Sequence, residues 1–467
     1  MNPTITGTFN FHEDMVSDIE LLTIEGALTY KSLGGDRYGF GESQEVLLFD
    51  HNADTGIVKI PRRYAFDCLS RSVLEQAEDN MSDGYPIKVV FDDAKQAGRP
   101  ELKEKQDNVI DAFLTNLEAL PTPMKGGILS AKCGTGKTVI ASKLISIIGC
   151  TTLVLVHKEF LVEQWIERLL AFTDLTMDDI GIVQQSKCEY EGKKVAIAMV
   201  QSLMETGKYP EEFLSWAGCI ISDEVHRMSA PCFQRAIPQF SARYRIGLTA
   251  TARRGDGLQE VFEQHIGRVL AQMTGGNEII PKIYQMPFKI WLPDDMYIWK
   301  KDGKIKKLFL AKLINALVVV DKRNRWLVAE MLRAAKSGRK VMLLSDRREH
   351  LDELRRIIEE HKAPFTVGLY VGGMKRADRD KSELCDIILG TFQMAKEGLD
   401  IPAIDTLYLG TPKSDVEQSV GRILRYDEDK KEPVVVDLVD TLPICLKFAN
   451  SRLVQYRRLG YSVMASV

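Results

Sequence analysis

The sequence predicts an α/β fold with two mostly parallel sheets, each covered on both faces by helices, behind a small α+β module. Three observations predict it. Over residues 123–270, short apolar or β-branched runs alternate with helix-like periodicity, the pattern of strands buried on both faces. The alternation breaks over residues 270–315 and resumes from residue 325. The first apolar run, Ile128-Leu129, enters a loop of small residues and leaves through Lys137-Thr138 into an apolar helical pattern from Val139 to Ile148.

Expected strands of the first unit are 126–130, Thr152–His157, Val195–Val200, Cys219–Asp223 and Tyr244–Leu248. Those of the second are Lys340–Leu344, Phe365–Tyr370, Asp386–Gly390, Thr406–Leu409 and Val434–Leu438. Ahead of them, residues 91–122 read as charged and helical, with Gly98-Arg99-Pro100 as a stop-and-start signal. In the N-terminal module, Glu45–Asp50 and Gly56–Ile60 read as strands of a hairpin joined by His51–Thr55. Pro61-Arg62-Arg63-Tyr64 then reads as a basic, aromatic tip, either solvated or touching a nucleic-acid backbone. The expected domains are 1–95, 96–275, an inserted element at 276–318, and 319–467.

The stretch from Gly127 to Val139, G-I-L-S-A-K-C-G-T-G-K-T-V, has the composition of a phosphate cradle. Small residues let consecutive backbone N–H groups of Ala131, Lys132, Cys133, Gly134, Thr135 and Gly136 point inward, and the helix end adds partial positive charge. Lys137 is expected to reach the β- and γ-phosphates of a nucleoside triphosphate, and Thr138 to offer its hydroxyl to Mg²⁺. The common form of this loop has glycine where Ala131 stands.

With 467 residues the chain is long enough for about three domains. No apolar run approaches the roughly 20 residues that cross a bilayer, so no membrane partner is expected. Met1-Asn2-Pro3-Thr4 lacks the regions of a signal peptide, which predicts a cytoplasmic protein. Eight cysteines without CxxC pairs argue against zinc or a disulfide framework. Net charge is −3, yet its distribution is uneven: residues 1–60 hold ten acids against three bases, whereas Lys300, Lys301, Lys304, Lys306 and Lys307 face only Asp302. Local basic segments on a mildly acidic chain suit a protein that grips phosphates in one channel.

A second chemical signal is Cys219-Ile220-Ile221-Ser222-Asp223-Glu224-Val225-His226. An apolar strand ending in two carboxylates needs a cation to meet them. Asp223 is expected to hold Mg²⁺ opposite Thr138, with Glu224 placed to orient and deprotonate an attacking water. A third is Gln418-Ser419-Val420-Gly421-Arg422-Ile423-Leu424-Arg425, where Arg422 and Arg425 share a helical face at i, i+3. A planar guanidinium meets the charge spread over a γ-phosphate in flight better than an ammonium does.

Together these motifs resemble those of superfamily 2 helicases, and the likeness spans residues 99–425. In that family the loop form A-x-x-G-x-G-K-T has alanine where Ala131 stands. The resemblance implies two tandem RecA-like P-loop domains, an ATP hydrolase, and the cofactors ATP and Mg²⁺. It also implies catalytic roles for Lys137, Glu224, Gln418, Arg422 and Arg425, a nucleotide contact from Asp400, and closure of the two units on ATP. Leu153–His157 with Leu161-Val162-Glu163-Gln164-Trp165 and Val200-Gln201-Ser202-Leu203 are similar to backbone-contacting segments, as are Met342–Asp346 and Gly390–Asp400. The implied nucleic-acid contacts are His157, Gln164, Gln201, Ser202, Ser345, Thr391 and Gln393. Gly247–Ala252 resembles the S/T-A-T segment linking hydrolysis to strand movement, which implies coupling roles for Thr249 and Thr251 with His226.

Within the superfamily the chain looks like the XPB-like branch and its phage-encoded recombination and fork-remodelling relatives. Leu161–Trp165 is one reason, and Arg254-Gly255-Asp256 stands where that branch has Arg-Glu-Asp. The lysines Lys300, Lys301, Lys304 and Lys306 fall where it carries a thumb-like element that grips DNA. Its Arg-Pro-Tyr-Gln is here Arg99-Pro100-Glu101-Leu102, which leaves Gln106 as the candidate reader of adenine. The implied activity is DNA-dependent ATP hydrolysis that drives translocation and strand separation. The implied partners are single-stranded, forked or branched DNA and replication or recombination proteins, in a host cytoplasm if phage-encoded. Hydrolysis needs no second subunit, because both arginines arrive in the same chain. The alternatives are a duplex translocase that never unwinds, an RNA helicase, and a nucleotide-regulated binding module.

Overall fold

The computed structural model describes residues 2–31, 45–132, 135–228, 232–250, 259–273, 280–291, 297–299, 305–308, 310–397, 401–414, 416–423 and 430–464. At residues 227, 297–299, 305–308, 396–397, 418 and 422–423 it describes the backbone alone. Chain contacts divide it into two units, Met1–Gly276 and Asn277–Val467.

The first unit is organised by an eight-stranded sheet. Its order is Lys187–Cys188, Ile180–Gln184, Val195–Met199, Thr152–Val156, Cys219–Ser222, Tyr244–Thr249, Gly126–Ala131 and Val269–Met273. All pairings are parallel except the outermost, Ile180–Gln184 with Lys187–Cys188. Gly126–Ala131 and Thr152–Val156 are buried at every position, as strands with helices on both faces must be. The helix Lys137–Ile148 turns Ile140, Ala141, Leu144 and Ile145 to the core and stops at Gly149, whose φ of 69° favours glycine. Because the strands run the same way, the ends of Gly126–Ala131, Tyr244–Thr249, Cys219–Ser222 and Thr152–Val156 lie side by side. That is where open α/β sheets bind ligands.

The N-terminal module shares this unit's core. Its five-stranded sheet runs Asp50–Asn52, Ile57–Ile60, Phe9–His12, Thr4–Ile5 and Glu78–Asp79. Phe9, Phe11, Val58 and Ile60 lie in one apolar cluster with Phe233, Phe240 and Phe262. Arg243, just before the strand Tyr244–Thr249, bridges to Asp79 at 2.8 Å and also pairs with Asp83, which ties the end of the module to the first sheet.

Two expectations for the module need correction. The run Glu45–Asp50 is broken: Glu45–Leu47 pairs with Thr29–Lys31, and only Asp50–Asn52 forms the hairpin with Ile57–Ile60. Pro61–Tyr64 is no exposed tip. It opens the helix Arg62–Cys68, with Arg62 and Tyr64 buried.

The second unit holds a seven-stranded sheet. Its order is Val367–Tyr370, Ile387–Thr391, Val341–Ser345, Thr406–Leu409, Val434–Asp440, Lys282–Phe288 and Ser462–Met464, with every pairing parallel. Lys282–Phe288 therefore belongs to the sheet, although it lies within the expected insert. Pro287, with Lys282 and Gln285 in the same run, hid it, since proline inside a run argues against a strand. Tyr297–Trp299 and Ile305–Leu308 form a separate antiparallel ribbon. Two buried ion pairs hold Val434–Asp440. Arg323 grips Asp440 through Nε (2.8 Å) and Nη2 (3.0 Å), and Arg452 grips Asp437 at 3.0 and 2.7 Å.

No helix of the described residues is long and apolar enough to cross a membrane. The described cysteines are free, and Cys150, Cys219, Cys232 and Cys445 are buried.

Candidate active site

The loop after Gly126–Ala131 is braced from behind. Gly136 takes φ 80°, ψ 42° as the residue before the helix, a left-handed conformation that favours glycine. A Cβ there would also come within 2.5 Å of Gln106 Nε2. That amide donates to the Thr135 carbonyl at 2.7 Å, and Gln96 donates to its Oε1. Thr135 closes the turn by donating from Oγ1 to the Lys132 carbonyl at 2.7 Å. Gln106 is buried, on the helix Pro100–Glu118, so it shapes the loop rather than standing open beside it.

A charged network fixes that helix to the one following the loop. Lys143 lies 2.7 Å from Asp107 and 3.0 Å from Asp93, and Lys103 lies 2.6 and 3.0 Å from the same carboxylates. Hydrogen bonds from both lysines hold Asp93 below the usual carboxylate range. For Asp107, burial pulls upward, but the same two lysines prevail and hold it low. Sequence reading missed this cluster, although Lys103 and Asp107 at i, i+4 on one helix face were a legible signal.

At the open end, Lys137 Nζ lies 3.1 Å from Glu224 Oε1. Glu224 Oε2 lies 3.3 Å from His226 Nδ1, and that nitrogen stands 2.8 Å from Thr249 Oγ1. One row of contacts thus joins the expected phosphate lysine, the expected base and two expected coupling residues across three strand ends. Glu224 itself has φ 48°, ψ 51°, a left-handed backbone at a residue with a side chain. Such strain persists where surrounding structure over-determines it, often at functional sites.

Asp223 is buried beside it. Its backbone N–H donates to the Leu155 carbonyl at 3.0 Å, and its Oδ2 accepts a 2.9 Å hydrogen bond from Trp165 Nε1. Burial pushes the Asp223 carboxyl up to about 6 and the Glu224 charge adds to this, while Trp165 and Lys137 pull it down. Trp165 is buried on the helix Glu159–Phe172. Sequence reading used it only as part of a motif. Its role was hidden because the partner lies 58 residues away.

The donor set fits Mg²⁺ bound with a nucleotide. Among the described residues no three His, Cys, Asp or Glu side chains gather as a dedicated cage. Mg²⁺ in such sites takes one or two carboxylates plus phosphates and waters, so Asp223 Oδ1 with the Thr138 hydroxyl on the first helical turn is a sufficient protein share.

The remaining expected contacts divide. Gln201 donates from Nε2 to the His157 carbonyl at 2.8 Å, which ties two of them together. Ser202 Oγ accepts from the Gln185 N–H at 2.9 Å. Gln164 and Thr391 are half-buried and Gln393 is exposed. Ser345 must be withdrawn from the nucleic-acid contacts. Its side chain is fully buried, with Oγ 2.9 Å from His350 Nδ1 and accepting from the Arg347 N–H at 3.1 Å. Gln418 and Arg422 lie on the helix Glu417–Ile423 and Lys306 on the ribbon, with backbone alone described. Cys133, Gly134, Thr251, Arg254, Lys300, Lys301, Lys304, Asp400 and Arg425 lie outside the described residues.

Comparison with known proteins agrees with this geometry. The family model "Type III restriction enzyme, res subunit" matches residues 99–254, and "Helicase conserved C-terminal domain" matches residues 322–427. A protein of Acanthamoeba polyphaga mimivirus, named as an ATP-dependent RNA helicase, is 32% identical over 389 residues, covering 82% of this chain and 71% of its own. The DNA 3'-5' translocase XPB2 of Sulfurisphaera tokodaii is 25% identical over 409 residues, covering 78% of this chain and 86% of its own. A solved structure of S. cerevisiae Dbp5 bound to RNA and ADP BeF3 matches at TM-score 0.54 and 11% identity. It covers 80% of this chain and 94% of that one, a likeness of fold. With these two family models in order along one chain and a helicase relative 32% identical over most of it, this protein belongs to the superfamily 2 helicases and is an ATP-hydrolysing enzyme of that class.

Proposed function

We propose that the chain is a DNA-dependent ATPase that moves along DNA and separates strands at forks or branched replication and recombination intermediates. The observation that carries the motor is the row Lys137–Glu224–His226–Thr249. It joins the residue that would hold the γ-phosphate to a segment implicated in movement, so a change at one end is felt at the other. Preference for DNA is supported by the extended likeness to a relative named as a DNA translocase.

When bound, Mg²⁺ would supply charge neutralisation at the phosphates, with Asp223 and Thr138 as its protein ligands. Glu224 would take the proton of the attacking water, and Lys137, released from Glu224 by nucleotide, would hold the phosphates. Arg422 and Arg425 would meet the charge that develops on the transferred group. In this reading residues 1–95 form a DNA-sensing domain, 96–275 and 319–467 are the motor domains, and the lysine-bearing insert clamps DNA. The enzyme acts in a cytoplasm, the host's if phage-encoded, and hydrolyses ATP without a second subunit.

RNA is the second reading, favoured by the name of the mimivirus relative. ATPase rates with single strands, duplexes, forks and four-way junctions, in DNA and RNA versions, decide between them. Selective stimulation by forked DNA with strand displacement supports the proposal. Stimulation by RNA alone defeats it, and triplex displacement without unwinding would make the enzyme a duplex translocase.

A further inference from the structure

Where the N-terminal module meets the first sheet there is a cavity of about 160 Å³. It lies at the amino ends of Gly126–Ala131 and Tyr244–Thr249, across the sheet from the nucleotide end, because Gly126, Arg245 and Gly267 line it. Arg62, Arg63, Lys125, Arg245, His265 and Arg268 also face it, and Asp67 is its one lining carboxylate among the described residues.

The cations there are poorly matched. Arg62 is buried, and the one hydrogen-bond partner of its guanidinium among the described residues is the Met81 thioether sulfur at 2.6 Å, a weak and uncharged acceptor. Among the described residues Arg245, also buried, donates only to carbonyls: Gly7 at 2.7 Å, Phe240 at 2.9 Å, His265 at 3.1 Å and Ile237 at 3.4 Å. His265 is 5% exposed, and neither ring nitrogen has a hydrogen-bond partner among the described residues. Asp67 is engaged by Arg63 at 3.1 Å and Arg268 at 3.5 Å. Asp79, the acid that acts on Arg62, is bonded to Arg243. Lys125 donates to the carbonyls of Leu117, Glu118 and Leu120. Burial, with Arg243 nearby, depresses Arg62 to about 9, and burial with Arg245 and Arg62 depresses His265 to about 3. Buried charges are normally paired, and a fixed guanidinium that lacks a carboxylate is suited to a phosphate or similar oxyanion.

We propose that this seam binds a small oxyanion of the phosphate class, with Arg62 as its anchor, and that the anion fastens the N-terminal module to the first sheet. A free phosphate and a nucleic-acid phosphate present the same group. The small cavity and buried anchor favour the free ion.

The test uses the full chain carrying Lys137→Ala, which weakens phosphate binding at the nucleotide loop. Thermal unfolding is followed in sodium phosphate or pyrophosphate and in sodium chloride of equal ionic strength. A ligand at about ten times its Kd is expected to raise the midpoint by roughly 2–5 °C. Adding Arg62→Met should abolish that rise while leaving the protein at least as stable in chloride, since the buried charge is gone. Arg268→Ala, on the exposed rim, should weaken pyrophosphate binding several-fold by calorimetry and keeps the test decisive if Arg62→Met misfolds. A rise no greater than in chloride overturns the proposal, as does a rise that survives both substitutions. Displacement of pyrophosphate by a short oligonucleotide would overturn the free-ion assignment.

Discussion

Trp165 Nε1 donates a 2.9 Å hydrogen bond to Asp223 Oδ2, joining the helix Glu159–Phe172 to the end of the strand Cys219–Ser222. The same helix carries Gln164, an expected nucleic-acid contact. A displacement of that helix would therefore reach the expected metal carboxylate directly.

Trp165→Phe keeps the ring and removes the donor. We expect ATP turnover to fall about 10- to 100-fold, the usual cost of losing a partner behind a metal ligand. The Mg²⁺ concentration for half-maximal rate should rise with it. ATPase titrations against Mg²⁺ at saturating ATP check this, and an unchanged Mg²⁺ dependence would reduce Trp165 to core filling.

Glu224→Gln retains the shape of the side chain and loses its basicity. A fluorescent ATP analogue should still bind, while turnover falls by about 10²–10⁴. Retained turnover would show that Glu224 is not the base.

For Arg425→Ala, nucleotide affinity should stay closer to normal than hydrolysis, which should drop by roughly 10³ or more, as for other residues that meet transition-state charge. Separate binding and single-turnover measurements distinguish these, and a pure affinity loss contradicts the assignment.

Stability of the second unit should depend on Arg323. Its side chain and that of Asp440 are both fully buried. Removing one partner leaves a buried charge, so Arg323→Ala should cost about 3–5 kcal/mol in denaturant unfolding. Replacing both partners by apolar residues of similar volume should cost much less.

Acid should weaken this unit through His350. It is buried between Ser345 Oγ and Asn324 Oδ1, at 2.9 and 3.1 Å, and burial depresses it to about 3, with Arg323 adding to the effect. Below the ordinary imidazole value of about 6.5 the unfolded chain takes up a proton that the fold refuses. This contribution is complete above that value and is lost as pH falls, at about 1.4 kcal/mol per pH unit, down to about 3. His350→Gln should flatten the slope of urea midpoints between pH 7 and pH 5. An unaltered slope would assign it to other groups.

Every strand expected for the two sheets is present within a residue or two of its expected bounds. Among the described residues five strands of these sheets were not anticipated: Lys187–Cys188, Val269–Met273 and Ser462–Met464 lie at sheet edges, and Ile180–Gln184 and Lys282–Phe288 each lie next to one of those edge strands. Within the site, Lys137, Asp223, Glu224, His226 and Thr249 were singled out because the expected chemistry asks for particular residue types at strand ends, and the structure places Lys137, Glu224, His226 and Thr249 in one row of contacts. Ser345 was misread because its position in a motif says nothing of which way the hydroxyl is buried.

The sequence by itself determined the class of chemistry, since a glycine-bearing loop before a helix, paired carboxylates after an apolar run and arginines at i, i+3 constrain function locally. Only the tertiary structure decided the partnerships. Trp165 with Asp223, Gln106 with Thr135, and Arg62 beside Arg245 and His265 join residues far apart in the chain. The order of parallel strands brings such residues together, and that order is set by burial and pairing across the sheet rather than by any short pattern along the chain.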